Sequence, residues 1–351
     1  MVFGQAKEMN VIKSIALTPL WIAQVFTQTK SYRDNPIIGS RTMNRLGLGI
    51  TRIVIAYGMH KFRMALLAPL VEPKYRKMYK ERGYICIENF LSSEDFAEIE
   101  RTVNNAKGEV RECVQGDTLT LRILLDDEAL AKMPALRKLV DNPLYERLCK
   151  YVASFWKRPL YYIQNIKNGF ASGKPDPQKV LHADAYFPSM KAWFFINDVE
   201  PDHGPFTYVP TSHRLTWKRI KWEYKHSIDA RDADNAYSAK GSMRYTLDDL
   251  HEMDLPEPVA MVLKKNSLVV GDVFGIHCRG SALKPCNRLE LWAYSRSNPF
   301  NPFPGFGSKL RSKAEYRLAK AYWRWQDRRA AKRNGQSSWH LVQEDKFHDA
   351  N

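Results

Sequence analysis

Apolar positions change their period along the chain, and the change divides it. From about residue 110 to 300, short strand-type runs dominate: TLTLRILL, YYIQNIK, KAWFFINDV, FTYVP, NSLVVGDVFGIHC and RLELWAYS, separated by Pro, Gly and Asp turns. That pattern predicts an antiparallel sandwich or barrel. Just upstream, GYICIENFLSSEDFAEIERTVNNA reads as a strand over residues 84–87, a turn, then a helix capped by Ser92 or Ser93. Before residue 79 the texture is helical. Residues 46–71 are apolar but contain Arg52, His60, Lys61 and Arg63, with Ile53, Ala56, Met59 and Met64 at roughly helical spacing. This reads as an amphipathic helix, either packed on the body or lying on an anionic membrane surface. Central Arg and Lys disfavour a spanning helix.

Residues 15–26 form a shorter apolar stretch, interrupted by Thr18, Pro19 and Gln24. It falls below the about 20 apolar residues that a bilayer requires and is not read as a secretory signal. At the other end, NPFNPFPGFG is a Pro/Gly-rich exit into a basic helical stretch, residues 309–333. Its stripe of Leu318, Tyr322 and Trp325 either clamps that helix to the body or faces a membrane or another polyanion. No internal repeat is evident.

Composition narrows the class. A chain of 351 residues that is 44% hydrophobic and 12% aromatic is not wholly disordered and can bury a full core. A mean hydropathy of −0.46 argues against a polytopic membrane protein. Five cysteines, an odd number with no C-x-x-C pair, support neither a disulfide framework nor a cysteine zinc site, so a reducing, cytoplasmic location is expected. Charge is informative by place. Residues 1–82 hold fourteen Lys/Arg against four acids, a net of +10, and residues 309–333 hold ten against two, a net of +8. The whole chain is +16, so the rest sums to −2: a near-neutral body with cationic ends.

The strongest chemical signal is LHADAYFP. His182 and Asp184 are two apart, so an extended strand points both to one face, where an imidazole and a carboxylate reach one ion. A two-histidine, one-carboxylate triad leaves the opposite face of Fe(II) open. The third ligand is expected from another strand, and His277 in NSLVVGDVFGIHCRG supplies it. A turn at residues 284–287 and a return strand then bring Arg288, eleven residues on, back beside the metal. Its planar fork suits the distal carboxylate of a dicarboxylic acid cosubstrate.

These residues carry a resemblance to the phytanoyl-CoA dioxygenase family of Fe(II)/2-oxoglutarate-dependent oxygenases. HADAYFP resembles the family's H-x-D ligand motif, AWFFINDVEPDHGPFTYVPTSH its next stretch, and GYICIENFLSSEDF its entry strand. The resemblance covers about residues 78–300. It implies a mainly β domain with flanking helices: a double-stranded β-helix (jelly-roll, cupin-like) core between helical extensions at 1–77 and 301–351. It further implies His182, Asp184 and His277 as iron ligands and Arg288 as the 2-oxoglutarate anchor. Trp193, Gln164 and Lys167 are expected to contact cosubstrate, with Tyr186 and His213 at a substrate pocket. His213 matches the histidine of the family's PGSH, with Thr211 replacing the glycine.

The activity this resemblance implies is hydroxylation of an unactivated C–H bond by O2, with 2-oxoglutarate converted to succinate and CO2. Asp184 favours hydroxylation over halogenation, which needs that ligand position vacant for chloride. The expected substrate is small or lipid-linked, met at an anionic membrane surface by a protein peripheral to its cytoplasmic face. Two other readings are a jelly-roll binding protein with a vestigial metal site and a nucleic-acid demethylase. The intact constellation disfavours the first. For the second, the basic excess is confined to the flanks, so no nucleic-acid partner is favoured.

Overall fold

The computed structural model describes residues 16–169, 173–307 and 309–348; Lys7, Glu8, Lys13 and the rest of residues 1–15 lie outside them. The strands are β1 (Tyr84–Ile87), β2 (Val110–Gln115), β3 (Thr118–Leu124), β4 (Leu160–Asn168), β5 (Met190–Phe195), β6 (Phe206–Tyr208), β7 (Val259–Ala260), β8 (Leu268–Asp272), β9 (His277–Arg279), β10 (Cys286–Ser295) and β11 (His340–Val342). They form two antiparallel sheets, β1–β8–β5–β10–β4–β3–β2–β11 and β7–β6–β9, the jelly roll that the sequence implies. Helices α1 (Ala16–Val25), α2 (Arg41–Arg45), α3 (Leu48–Leu67) and α4 (Pro73–Arg82) precede β1. After it come α5 (Ser93–Asn104), α6 (Asp127–Lys132), α7 (Pro134–Val140), α8 (Pro143–Ala153), α9 (Trp217–Ile228), α10 (Ala236–Ala239), α11 (Leu247–Glu252) and α12 (Lys309–Ala331).

Strand alternation explains which side chains see which layer. Ile85, Ile163, Ala192, Phe194, Val270, Leu291 and Ala293 face a core shared with α5, α7 and α8, covering one side of the large sheet. Their neighbours Tyr84, Tyr162, Trp193, Phe195, Val269 and Trp292 point the other way, into a second core with Phe206 and Tyr208 of the small sheet. That period of two sets both cores at once. Helix α5 starts where the serines suggest: Ser92 Oγ accepts from the Asp95 N–H at 3.2 Å.

One run, NSLVVGDVFGIHC, divides in two. Strand β8 stops at Asp272 and His277 opens β9 in the other sheet, so the histidine begins a strand where the sequence places it at a strand's end. Gly275 makes the crossing: a Cβ there would lie 1.8 Å from the Tyr208 hydroxyl, which itself donates to the Asp272 carbonyl at 2.8 Å.

Helix α3 packs on the body, as one of its two sequence readings has it, but with reversed polarity. Ile53, Ala56 and Met64 are buried, and so are Arg52, His60 and Arg63. Arg52 donates to the carbonyls of Val25 and Thr29 at 2.9 and 2.6 Å. Arg63 donates to the Ser154 and Pro299 carbonyls, both at 3.1 Å. Carbonyl acceptors make burial of the guanidinium groups tolerable. Outside, α3 shows Val54, Ile55, Phe62 and Leu66, each at least 43% exposed. By length and composition the helix could cross a membrane, yet Arg52 and Arg63 are held inside protein, while Lys61 is exposed. On α12, Tyr316 and Trp323 are the aromatics that pack on the second core. Leu318, Tyr322 and Trp325 face outward, so they do not clamp the helix.

Candidate active site

His182 and His277 are locked to each other through the backbone before any side chain is considered. Each accepts and donates across an antiparallel bridge, His182 N to His277 O at 2.8 Å and His277 N to His182 O at 2.9 Å. Both imidazoles are buried, with ring centroids 4.5 Å apart. Each Nδ1 lies 2.8 Å from a carbonyl oxygen, of Val180 and Gly275 respectively. A carbonyl only accepts, so each Nδ1 carries the proton and each Nε2 keeps its lone pair. Both Nε2 atoms are buried with no hydrogen-bond partner.

Asp184 closes the arrangement. Its Oδ1 is 3.7 Å from the Nε2 of both histidines, and the ligand atoms of the three residues lie within 4.8 Å of one another. Its Oδ2 pairs with Lys191 Nζ at 2.6 Å, a contact not read from the sequence. Lys191 turns one carboxylate oxygen away and leaves the other to the histidines. Its one signal was a cation amid the apolar residues of β5. Burial pushes the Asp184 carboxyl up, but Lys191, the two imidazoles and Arg296 outweigh this and hold it well below the usual range. Burial also drives both histidines down, with the His277 effect from its neighbour adding at His182; His277 falls to about 4. Two neutral imidazoles and one carboxylate, with lone pairs converging, are the donor set a divalent iron takes.

A cavity of about 490 Å³ opens on this group. Arg288, Trp193 and Gln164 line it with His182, Asp184 and His277. Arg288 is buried, donating through Nε to Glu290 at 3.0 Å and through Nη1 to the Gly204 carbonyl at 2.8 Å. Gln164 donates to the other Glu290 oxygen and accepts from Arg122 at 2.6 Å. Trp193 stacks on Phe206 with centroids 4.2 Å apart, and Phe206 abuts His277.

The chain belongs to the phytanoyl-CoA dioxygenase family. The family profile matches residues 79–279, more than half of the sequence. The metal and cosubstrate of this family member are iron and 2-oxoglutarate, and the converging donor set fits the metal. Arg288 and β10 lie beyond the matched span. No curated protein matches the chain. Among solved structures, the epimerase SnoN, in complex with Fe3+, alpha ketoglutarate and nogalamycin RO, is 19% identical over 65% of this chain and 83% of its own, with a TM-score of 0.42. HygX from Streptomyces hygroscopicus, with nickel and 2-oxoglutarate, is 14% identical over 64% and 86%, at 0.42. EctD from S. alaskensis, with bound Fe, is 14% identical over 64% and 76%, at 0.39.

Three expected site residues of this family member lie elsewhere. Lys167 is three residues from Gln164 on β4, so alternation turns it to the helix-covered face, where its β-partner is Leu119. Tyr186 follows a bend, and its hydroxyl bonds the Thr27 carbonyl at 2.6 Å under the Arg52 guanidinium. His213 is buried against Tyr79, with centroids 5.1 Å apart, away from the cavity lining. Thr211, where the family has glycine, adopts a φ of 67°, the left-handed conformation glycine favours.

Proposed function

We propose that the protein hydroxylates an unactivated C–H bond, coupling O2 reduction to conversion of 2-oxoglutarate into succinate and CO2. His182, Asp184 and His277 are read as the iron ligands, and Arg288 as the anchor of the distal cosubstrate carboxylate. The observation that carries this reading is the pair of buried, unpartnered Nε2 atoms aimed with Asp184 Oδ1 at one point. Bound iron and 2-oxoglutarate supply the oxidising chemistry. The residues of the chain position it. Lys191 presents Oδ1 by holding Oδ2, Glu290 fixes the Arg288 fork, and Trp193 with Phe206 forms an aromatic wall beside His277. Substrate-stimulated succinate formation with matching O2 uptake tests the reading. A metal-loaded protein that forms no succinate and takes up no O2 would be a binding protein with a vestigial centre.

The proposed substrate is lipid-linked or amphiphilic, met at the cytoplasmic face of a membrane. Support comes from the outward apolar faces of α1 and α3: Leu20, Ile22 and Phe26 on and after the first, Phe62 and Leu66 on the second. Exposed Arg45 and Lys61 lie on α2 and α3. Apolar side chains rimmed by cations suit an anionic bilayer surface. Flotation with anionic vesicles, comparing wild type with Phe62→Ser/Leu66→Ser, tests this; binding indifferent to both salt and the substitutions counts against it.

A further inference from the structure

The cavity walls carry more positive charge than iron chemistry uses. Lys30, Arg122, Lys191, Arg279, Arg288 and Arg296 all line it. Three of the six have a carboxylate partner: Lys191 with Asp184, Arg279 with Asp176, Arg288 with Glu290. Arg122 has none, but it is occupied by Gln164 and stacked on the Trp292 and Trp339 rings at 4.0 and 4.4 Å. Lys30 and Arg296 remain. Fe(II) and the 2-oxoglutarate dianion cancel each other, so loading the site leaves this excess untouched.

Lys30 is held in place by the backbone, Arg296 keeps an open donor, and neither is paired with an acid among the described residues. Lys30 Nζ donates to the Asp184 backbone carbonyl at 2.5 Å, across 154 residues, and no acid pairs with it among the described residues. The strap that delivers it is clamped twice. Arg52 binds the Val25 and Thr29 carbonyls on either side, and Tyr186 binds Thr27. Gly241 lets the strap pass, since a Cβ there would meet the Lys30 carbonyl at 2.0 Å. Arg296 follows the last residue of β10; its Nε is buried with no hydrogen-bond partner, and no acid pairs with it among the described residues. Its guanidinium carbon lies 6.0 Å from the Phe187 ring centroid. Half-buried cations with no acid paired to them are costly to keep, so they mark a place where an anion arrives.

We propose that Lys30 and Arg296 form the recognition site for an oxyacid group, carboxylate or phosphate, on the substrate. The inference rests on the oxygenase reading and specifies its substrate class: an anionic molecule whose charged end is gripped here while another part reaches the iron. Arg296 supplies a planar fork and Lys30 a point charge, the two complements of such a group. Neither lies within the family-matched span, so this specificity is built from the flanks.

The test uses full-length protein loaded anaerobically with Fe(II) and 2-oxoglutarate, titrated with hexyl phosphate, hexanoate and hexanol. At least one anionic probe is expected to bind about tenfold or more tightly than hexanol, and Arg296→Gln or Lys30→Met to weaken it by about the same factor. Whichever anion binds more tightly names the group. Arg296→Lys, which keeps the charge, is expected to lose less. Equal binding of hexanol, or undiminished anion binding by Arg296→Gln and Lys30→Met, would overturn the assignment. So would loss of the visible Fe(II)–2-oxoglutarate absorption band in either variant, since the two cations would then serve the cosubstrate. Absence of that band in the wild type defeats the oxygenase reading instead, and the anion titration scores the cationic site separately.

Discussion

Two of the buried histidine sites in this molecule are finished to different degrees. His60 on α3 has both ring nitrogens occupied, Nδ1 by Ser154 Oγ at 3.0 Å and Nε2 by the Tyr79 hydroxyl at 3.1 Å. Tyr79 passes the chain on to Asp272 at 2.9 Å, tying α3 and α4 to β8. At the mouth of the jelly roll, His182 and His277 have one nitrogen occupied and one left over. Burial depth is the same at both sites. What separates them is bookkeeping of donors and acceptors: a closed network holds a fold, while an open one waits for a ligand. A single open nitrogen is insufficient, because His213 Nδ1 is also buried and unpartnered. Among the described residues, two imidazoles and a carboxylate converge at His182, Asp184 and His277 alone.

The widest separation is expected from matched alanine substitutions. His277→Ala should abolish iron retention and lower succinate formation by more than the ten- to hundred-fold typical of an outer-shell partner. Its unfolding free energy without metal should fall by less than that of His60→Ala, since only the Nδ1 bond to the Gly275 carbonyl is lost and none to Nε2. His60→Ala should do the reverse, costing about 2–4 kcal/mol in denaturant unfolding by stranding Ser154 and Tyr79, with activity per folded molecule retained. If His60→Ala drops activity and spares stability, the contrast between the two sites is wrong.

Next in size is a pH effect within the closed network. Burial pushes the Asp272 carboxyl up to about 6, against the hydrogen bonds from Phe274, Tyr79 and Ser189. An acid that binds its proton more tightly when folded stabilises the protein below its unfolded pKa, near 3.8. That stability is lost as pH rises through about 4 to 6, at most about 3 kcal/mol from the two pKa values. Chemical unfolding from pH 4 to 7 should show the decline in wild type and its removal in Asp272→Asn. At the open site, Lys191→Met should weaken iron binding by about ten- to hundred-fold, because Asp184 loses the contact that turns it. Metal titration with thermal unfolding in parallel distinguishes this from a folding defect. The smallest change lies between the sites. Thr211→Gly should stabilise by about 0.5–1 kcal/mol through relief of the left-handed backbone, with no change in turnover.

The antiparallel strands and half of the mouth were legible because both rest on a period of two, while the jelly roll was implied by the family resemblance. His182 and Asp184 share a face, and the strand runs recur where β3, β4, β5 and β10 form. The same rule, applied strictly, already separates Gln164 from Lys167. Tyr186, expected at the substrate pocket from the family resemblance, lies elsewhere because residues 184–187 bend and its hydroxyl bonds the Thr27 carbonyl. The polarity of α3 was invisible for another reason. Arg52 and Arg63 are satisfied by carbonyls from the segments around residues 25–29 and 154, which no pattern within the helix encodes. Lys30 was out of reach likewise: nothing local joins it to Asp184.

Strand β10 carries a built-in ruler. Arg288 lies near its start and Arg296 just past its end, eight residues of extended chain, roughly 26 Å at about 3.3 Å per residue. With one end of that span fixed on the cosubstrate and the other on an acid group, regiochemistry becomes a question of reach. If the substrate's acid group is held at Arg296 as proposed, the carbon that reacts would be chosen by how many bonds separate it from the charge, and a homologue one methylene longer should be oxidised at a position counted from its acidic end, not from its tail.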